Sequence, residues 1–127
     1  MAVKAISKGV KMSPRKLQEV ASLVRSRTVN DALTILSHTP RQAAIPVRKT
    51  IESARANADH NHNYKPDTLR IVEISVNHGP RLKRRRPIAR GMAHPYMHRS
   101  AHISVTVDGT IRTPKKATPP VAPKEKE

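Results

Sequence analysis

The sequence predicts an α+β domain: a strand at the N-terminus, three consecutive helices, and two late strands separated by a long basic excursion. Three observations carry this. Apolar residues recur at helical spacing between residues 14 and 60, and they alternate with polar ones near residues 72–76 and 103–107. The stretch 78–101, between those two strands, is too long for an ordinary hairpin loop and too basic to be a core element. The chain has 127 residues, enough for one domain, which we expect over residues 1–111. Tyr64 and Tyr96 are its only aromatic residues, so the core must come from Val, Ile, Leu and Ala.

Residues 1–10 read as a short strand, with Val3, Ala5 and Ile6 mixed with Lys4 and Lys8. The first helix opens at Ser13, a favourable N-cap, followed by Pro14, whose missing N–H and fixed φ suit the first helical position. Leu17, Val20, Ala21 and Val24 then form one apolar stripe at i, i+3, i+4 and i+7. A short second helix follows Thr28, which has capping-box spacing to Asp31, with Leu33, Ile35 and Leu36 as its apolar cover. The third helix is expected to open at Thr39-Pro40-Arg41-Gln42 and to carry the stripe Ala44, Val47, Ile51, Ala54 and Ala58. Pro46 then falls inside that helix, where a lost donor and a clash with the preceding turn predict a kink. The helix should end near Asn61-His62-Asn63. Of the two strands, 69–77 places Val72, Ile74 and Val76 on one face, and 102–108 turns Ile103, Val105 and Val107 inward. Residues 112–127 form a tail rich in Pro and Lys with nothing to bury, expected to be disordered unless RNA holds it.

Charge separates the functional classes. The chain carries 25 Lys and Arg against 9 Asp and Glu, a formal net charge of +16. Repulsion at this density disfavours a compact state that stands alone, and a polyanion relieves it; nucleic acid also gains by releasing counterions. The charge is concentrated. Residues 78–101 hold seven Lys and Arg and no acid, and the acid-free region runs from Ile74 to Val107. Half of that excursion, about eleven residues at ~3.3 Å each, reaches roughly 35 Å when extended. Such a finger has no core of its own but can be ordered by phosphates on several sides, a task for which the planar fork of Arg is suited. Gly91 is the expected turn at its tip. A disordered basic loop and a nuclear-localisation signal over Lys83–Arg86 are the competing readings; the strands flanking the finger, and basic residues spread along the chain, argue against both.

Other chemistries find little support. The four glycines, Gly9, Gly79, Gly91 and Gly109, are isolated, so no phosphate-cradling loop is present. There is no Cys, which rules out disulfides and thiolate metal sites. His94-x3-His98 has no carboxylate or Cys nearby to complete a zinc site, His60-x-His62 beside Asp59 reads as a polar helix end, and nine scattered carboxylates offer no two-metal nuclease centre. We therefore expect no metal, no cofactor and no enzyme. Two aromatics fall short of the stacking platform of single-strand-binding modules. Residues 13–37 resemble a helix-turn-helix in spacing, but the second helix is poor in Lys and Arg, which argues against a DNA-binding regulator. No apolar run approaches the ~20 residues of a membrane span, and the N-terminus lacks a secretory or transit pattern. A cytoplasmic protein, or a mature organellar one, is expected.

Four segments carry a resemblance. Met12-Ser13-Pro14-Arg15-Lys16-Leu17, Ala54-Arg55-Ala56-Asn57-Ala58-Asp59-His60-Asn61, Gly79-Pro80-Arg81-Leu82-Lys83-Arg84, and the run from Arg99-Ser100-Ala101-His102 to Val107 occur in the order and spacing of the L-twenty-two family of bacterial large-subunit ribosomal proteins. The chain resembles that family over about residues 3–109. The resemblance implies a small three-stranded antiparallel sheet packed on three helices, with a long protruding β-hairpin over about 78–101. It also implies a structural constituent of the large ribosomal subunit that binds large-subunit rRNA, supports subunit assembly and lines the nascent-peptide exit tunnel with its hairpin tip. Implied partners are large-subunit rRNA, neighbouring large-subunit ribosomal proteins and the nascent polypeptide, in the ribosome of the cytoplasm. The expected RNA contacts are Lys11, Ser13, Arg15 and Lys16 at the first helix; Arg81, Lys83, Arg84, Arg85, Arg86 and Arg90 on the finger; and His94, His98 and Arg99 on the returning strand. The expected tunnel-lining tip is Pro87, Ile88, Ala89, Arg90, Gly91, Met92 and Ala93. Ile88 and Met92 stand where the family usually has basic residues, Pro95 and Tyr96 where it often has Arg and Ile, and Pro46 is atypical of its long helix.

Overall fold

A computed structural model describes residues 2–112; of the tail expected over 112–127, all but Arg112 lies outside the described residues. The strand β1 (Val3–Val10) is followed by α1 (Pro14–Val24), α2 (Val29–His38) and α3 (Ala44–His62), then by β2 (Arg70–His78), β3 (Leu82–Pro87), β4 (Ala93–His98) and β5 (Ala101–Asp108). β1, β5 and β2 form an antiparallel sheet with β5 in the middle, and β3 and β4 form a separate two-stranded hairpin. The expected fold class is the one observed: an α+β body with a three-stranded antiparallel sheet, three helices and a hairpin.

The core is aliphatic, as the composition requires. Leu17, Val20 and Val24 of α1, Val47, Ile51 and Ala54 of α3, and Ile103, Val105 and Val107 of β5 are all fully buried. β5 can serve as the central strand because it alternates strictly, buried at Ala101, Ile103, Val105 and Val107 and half-buried between. Tyr64 is the largest fully buried side chain. Its backbone N–H donates to the Ala58 carbonyl, beyond the left-handed Asn63 (φ 52°) that ends α3. Arg112 closes the same corner: its N–H donates to the Asn63 carbonyl, and its guanidinium lies 3.3 Å from Asp59 Oδ1.

Ser13 occupies the N-cap of α1 with extended backbone, as expected, and its side chain makes no capping hydrogen bond. Three local expectations need correction. α3 begins at Ala44 rather than near Pro40; residues 39–43 form turns, with Arg41 N–H donating to the Thr39 carbonyl and Ala44 N–H to the Arg41 carbonyl. Pro46 therefore falls in the first turn, where N–H groups have no partner within the helix and no preceding turn of α3 exists to clash with, and α3 runs continuously from Ala44 to His62. In β2 the pairing skips a residue: Ile71 faces Val107 and Glu73 faces Thr106. That bulge reverses the alternation, so Ile71 and Ile74 are buried while Val72, expected inside, is 58 % exposed.

Candidate nucleic-acid interface

The residues expected to contact RNA fall in two places, a cleft on the body and the hairpin beside it. A bulge near the end of β1 directs the chain towards the cleft. Pairing slips between Ser7 and Val10, Gly9 adopts φ +71°, and its N–H donates to His102 Nδ1 at 3.0 Å. Left-handed backbone costs a side-chain-bearing residue of the order of 1 kcal/mol, so glycine suits the position. Beyond the bulge, residues 11–13 turn into α1.

The cleft is open, about 840 Å³, and lies between the start of α1, the turns before α3 and the base of the hairpin. Of the residues expected to contact RNA, it brings together Lys11, Ser13, Arg15, Lys16, His98 and Arg99, which stand far apart in sequence. It adds Arg41, Gln42 and Met97, which sequence reasoning missed. Arg41 and Gln42 were hidden because their segment reads as a helix opening; only their polarity hinted at a surface role. Glu19 is the single acid of the lining. Its carboxylate pairs with Arg41 Nη1 at 2.5 Å and lies 4.0 Å from Arg15 Nε. Five Lys and Arg thus face one carboxylate. The lack of a side-chain cap on α1 also leaves its first turn open towards this cleft, next to Arg15 and Lys16.

The other predicted contacts are not drawn into the cleft. Arg81 lies at the hairpin neck, Lys83, Arg84, Arg85 and Arg86 on β3, Arg90 at the tip and His94 on β4. All of them are exposed, and among the described residues none of the hairpin cations pairs with a carboxylate. Six paired residues per strand give the ladder a length of roughly 20 Å. The neck joins it to the body. Gly79 N–H donates to the Ser100 carbonyl, and Ser100 Oγ donates to the Pro80 carbonyl. A Cβ on Gly79 would lie 2.5 Å from Ser100 Oγ and 3.0 Å from the Ser100 carbonyl carbon, so only glycine fits there without displacement. At the tip the expected turn residue Gly91 has φ +69°, and Arg90 shares the left-handed conformation at φ 60°. Ile88 N–H donates to the Met92 carbonyl to close the five-residue loop. Ile88 and Met92 are 48 % and 64 % exposed, so the tip presents apolar surface around one cation.

Cations distributed over a cleft and a finger, most of them without an acid partner among the described residues, are suited to holding phosphate at several points. The family model described as Ribosomal protein L22p/L17e matches residues 5–108, which span both the body and the hairpin. The chain is 47 % identical over 104 residues to the large ribosomal subunit protein uL22 of Desulfitobacterium hafniense strain Y51, covering 82 % of this chain and 91 % of that one. It is 46 % identical over 108 residues to the protein of the same name from Herpetosiphon aurantiacus, covering 85 % and 96 %, and 45 % identical over 107 residues to that of Clostridium novyi, covering 84 % and 96 %. Because the matched region takes in the cleft, the neck and the basic hairpin together, the chain belongs to the L22p/L17e family of ribosomal proteins.

Proposed function

We propose that this chain is a structural, non-catalytic constituent of the large ribosomal subunit that anchors itself to large-subunit rRNA through the cleft and the hairpin. The observation that carries this reading is the pairing of a cation-lined cleft with an acid-free hairpin that has no core contacts of its own. Lys11, Arg15, Lys16, Arg41 and Arg99 would hold phosphates at the body, and Arg81, Lys83, Arg84, Arg85, Arg86 and Arg90 would hold them along the finger. His94 and His98 would donate to phosphate or stack on bases. Recognition of this kind reads RNA shape and backbone more than base sequence. The names of the relatives support a place in the large subunit. We extend the family resemblance to the tip, proposing that residues 87–93 line the nascent-peptide exit tunnel, with neighbouring ribosomal proteins and the nascent polypeptide as further partners.

Sedimentation tests the core of this. Tagged chain expressed in a bacterium should co-migrate with the large subunit through a sucrose gradient containing high salt, because contacts buried in assembled RNA survive conditions that strip simple electrostatic adhesion. Release to the top of the gradient would reject the structural role.

A further inference from the structure

The register of β3 and β4 sorts the hairpin side chains onto two unlike faces. Leu82, Arg84 and Arg86 share one face with their partners His98, Tyr96 and His94, whereas Lys83, Arg85 and Pro87 share the other with Met97, Pro95 and Ala93. On the first face the Tyr96 and His98 rings meet edge to face with centroids 5.3 Å apart, and the Arg86 guanidinium carbon sits 5.6 Å from the Tyr96 ring centre. Guanidinium, phenol and imidazole thus form a continuous row of planar groups. The second face carries cations beside saturated side chains only. Tyr96 remains 38 % exposed, so its ring is held by neighbours yet open to a ligand.

We propose that the face made by Arg86, Tyr96 and His98 is a stacking platform for unpaired RNA bases, while Lys83 and Arg85 on the opposite face hold the RNA backbone. This rests on the reading of the chain as an rRNA-binding protein and names what one side of its hairpin takes. The argument is one of chemistry. Bases of single-stranded loops and bulges stack on aromatic rings and Arg planes, whereas those of an A-form helix are already stacked and sit in grooves that side chains reach poorly. Side chains on one strand face recur about every 6.7 Å, close to twice the ~3.4 Å rise between successive bases, so one base plane has room between neighbouring rings once their edge contact opens. The flanking cations and the absence of any acid from Ile74 to Val107 favour a planar ligand that brings its own phosphate over an aromatic peptide side chain.

The test uses the full-length chain with a mixed-sequence 12-nucleotide single-stranded RNA and with the same RNA annealed as a blunt duplex, their dissociation constants measured at two salt concentrations. Tyr96→Leu keeps a strand-compatible apolar residue and should weaken single-strand binding about tenfold, in line with stacking contributions measured elsewhere. It should leave the duplex nearly unaffected and the salt slope unchanged, because stacking releases no counterions. Tyr96→Phe should restore binding. Arg85→Gln should weaken both RNAs and reduce the salt slope by about one. Equal single-strand affinity for Tyr96→Leu and the unmodified chain, or equal losses on both RNAs, would overturn the platform. Unchanged RNA affinity with weakened binding of a random Glu-Tyr copolymer would assign the face to polypeptide and overturn it too. The ribosomal reading is judged separately: a Tyr96→Leu chain that binds RNA normally yet sediments with the large subunit in high salt defeats the platform alone, whereas release of the unmodified chain defeats the ribosomal reading.

Discussion

At the residue scale, Tyr64 shows how one polar group locks a corner of the body. Burial raises its pKa above the ordinary value, and the charge of Asp108 and a hydrogen bond to that carboxylate push in the same direction. Because the neutral phenol is the form the fold prefers, the unfolded chain releases this proton near pH 10 while the folded chain keeps it. The resulting stability is complete below pH 10 and falls as pH rises from there towards the folded value. We expect Tyr64→Phe to lower the melting temperature at pH 7, where it removes the bond to Asp108, and to narrow its gap to the unmodified chain as pH rises above 10. Parallel melting curves would remove Tyr64 from this role. Glu19 acts differently, since it and Arg41 are both about half exposed. Exposed pairs contribute little, so Glu19→Gln should change stability by no more than about 0.5 kcal/mol. It should, however, tighten RNA binding at low salt by removing the single acid of the cleft. Weaker binding would mean that Glu19 matters chiefly by aiming Arg41.

At the scale of elements, the outcome depends on position within an element rather than on residue type. Pro46 is tolerated because it stands third in α3; Pro46→Ala should shift stability by under about 1 kcal/mol, whereas Ala54→Pro, in the buried middle of the same helix, should cost ~3 kcal/mol or more. Chemical denaturation measures both, and a large loss for Pro46→Ala would show that the proline shapes the helix start. The stripes of α1 and α3 were legible from sequence because burial follows the helical period at Leu17, Val20, Val47 and Ile51. The start of α3 was not. Thr39-Pro40-Arg41-Gln42 has the composition of a cap, but Thr39 Oγ1 instead donates back to the Ile35 carbonyl and ends α2. Nor was the phase of β2 legible, because the bulge at Val72 arises from pairing Ile71 with Val107 and Glu73 with Thr106 on the distant strand β5, and leaves no local signal.

At the scale of the whole molecule, two parts obey different physics. The buried core passes directly from Ile74 to Ala101, so the body folds by apolar burial with no contribution from the hairpin tip or its strands. The finger was readable in sequence because its cations have no acids near them; the cleft was not, because it joins residues 11–19, 41–43 and 97–99, which only the fold makes neighbours. This division yields a deletion test. Removing residues 82–98 joins Arg81 to Arg99 and leaves Pro80, Arg81 and Arg99 as a three-residue connection between Gly79 and Ser100, which already bond to one another. That length is ordinary for a hairpin loop, so the shortened body should melt within a few degrees of the intact chain. It loses Met97 and His98 from the cleft but keeps Lys11, Arg15, Lys16, Arg41 and Arg99 there, and should still bind large-subunit RNA. It loses Lys83, Arg84, Arg85, Arg86 and Arg90, up to five phosphate contacts. At about 0.7 to 0.9 per contact, the slope of log affinity against log salt should fall by at most about 4.5. A shortened chain that no longer folds would show that the hairpin supports the body. One that folds with an unchanged salt slope would show that the cleft alone carries the electrostatic binding and that the finger's cations contribute nothing to it.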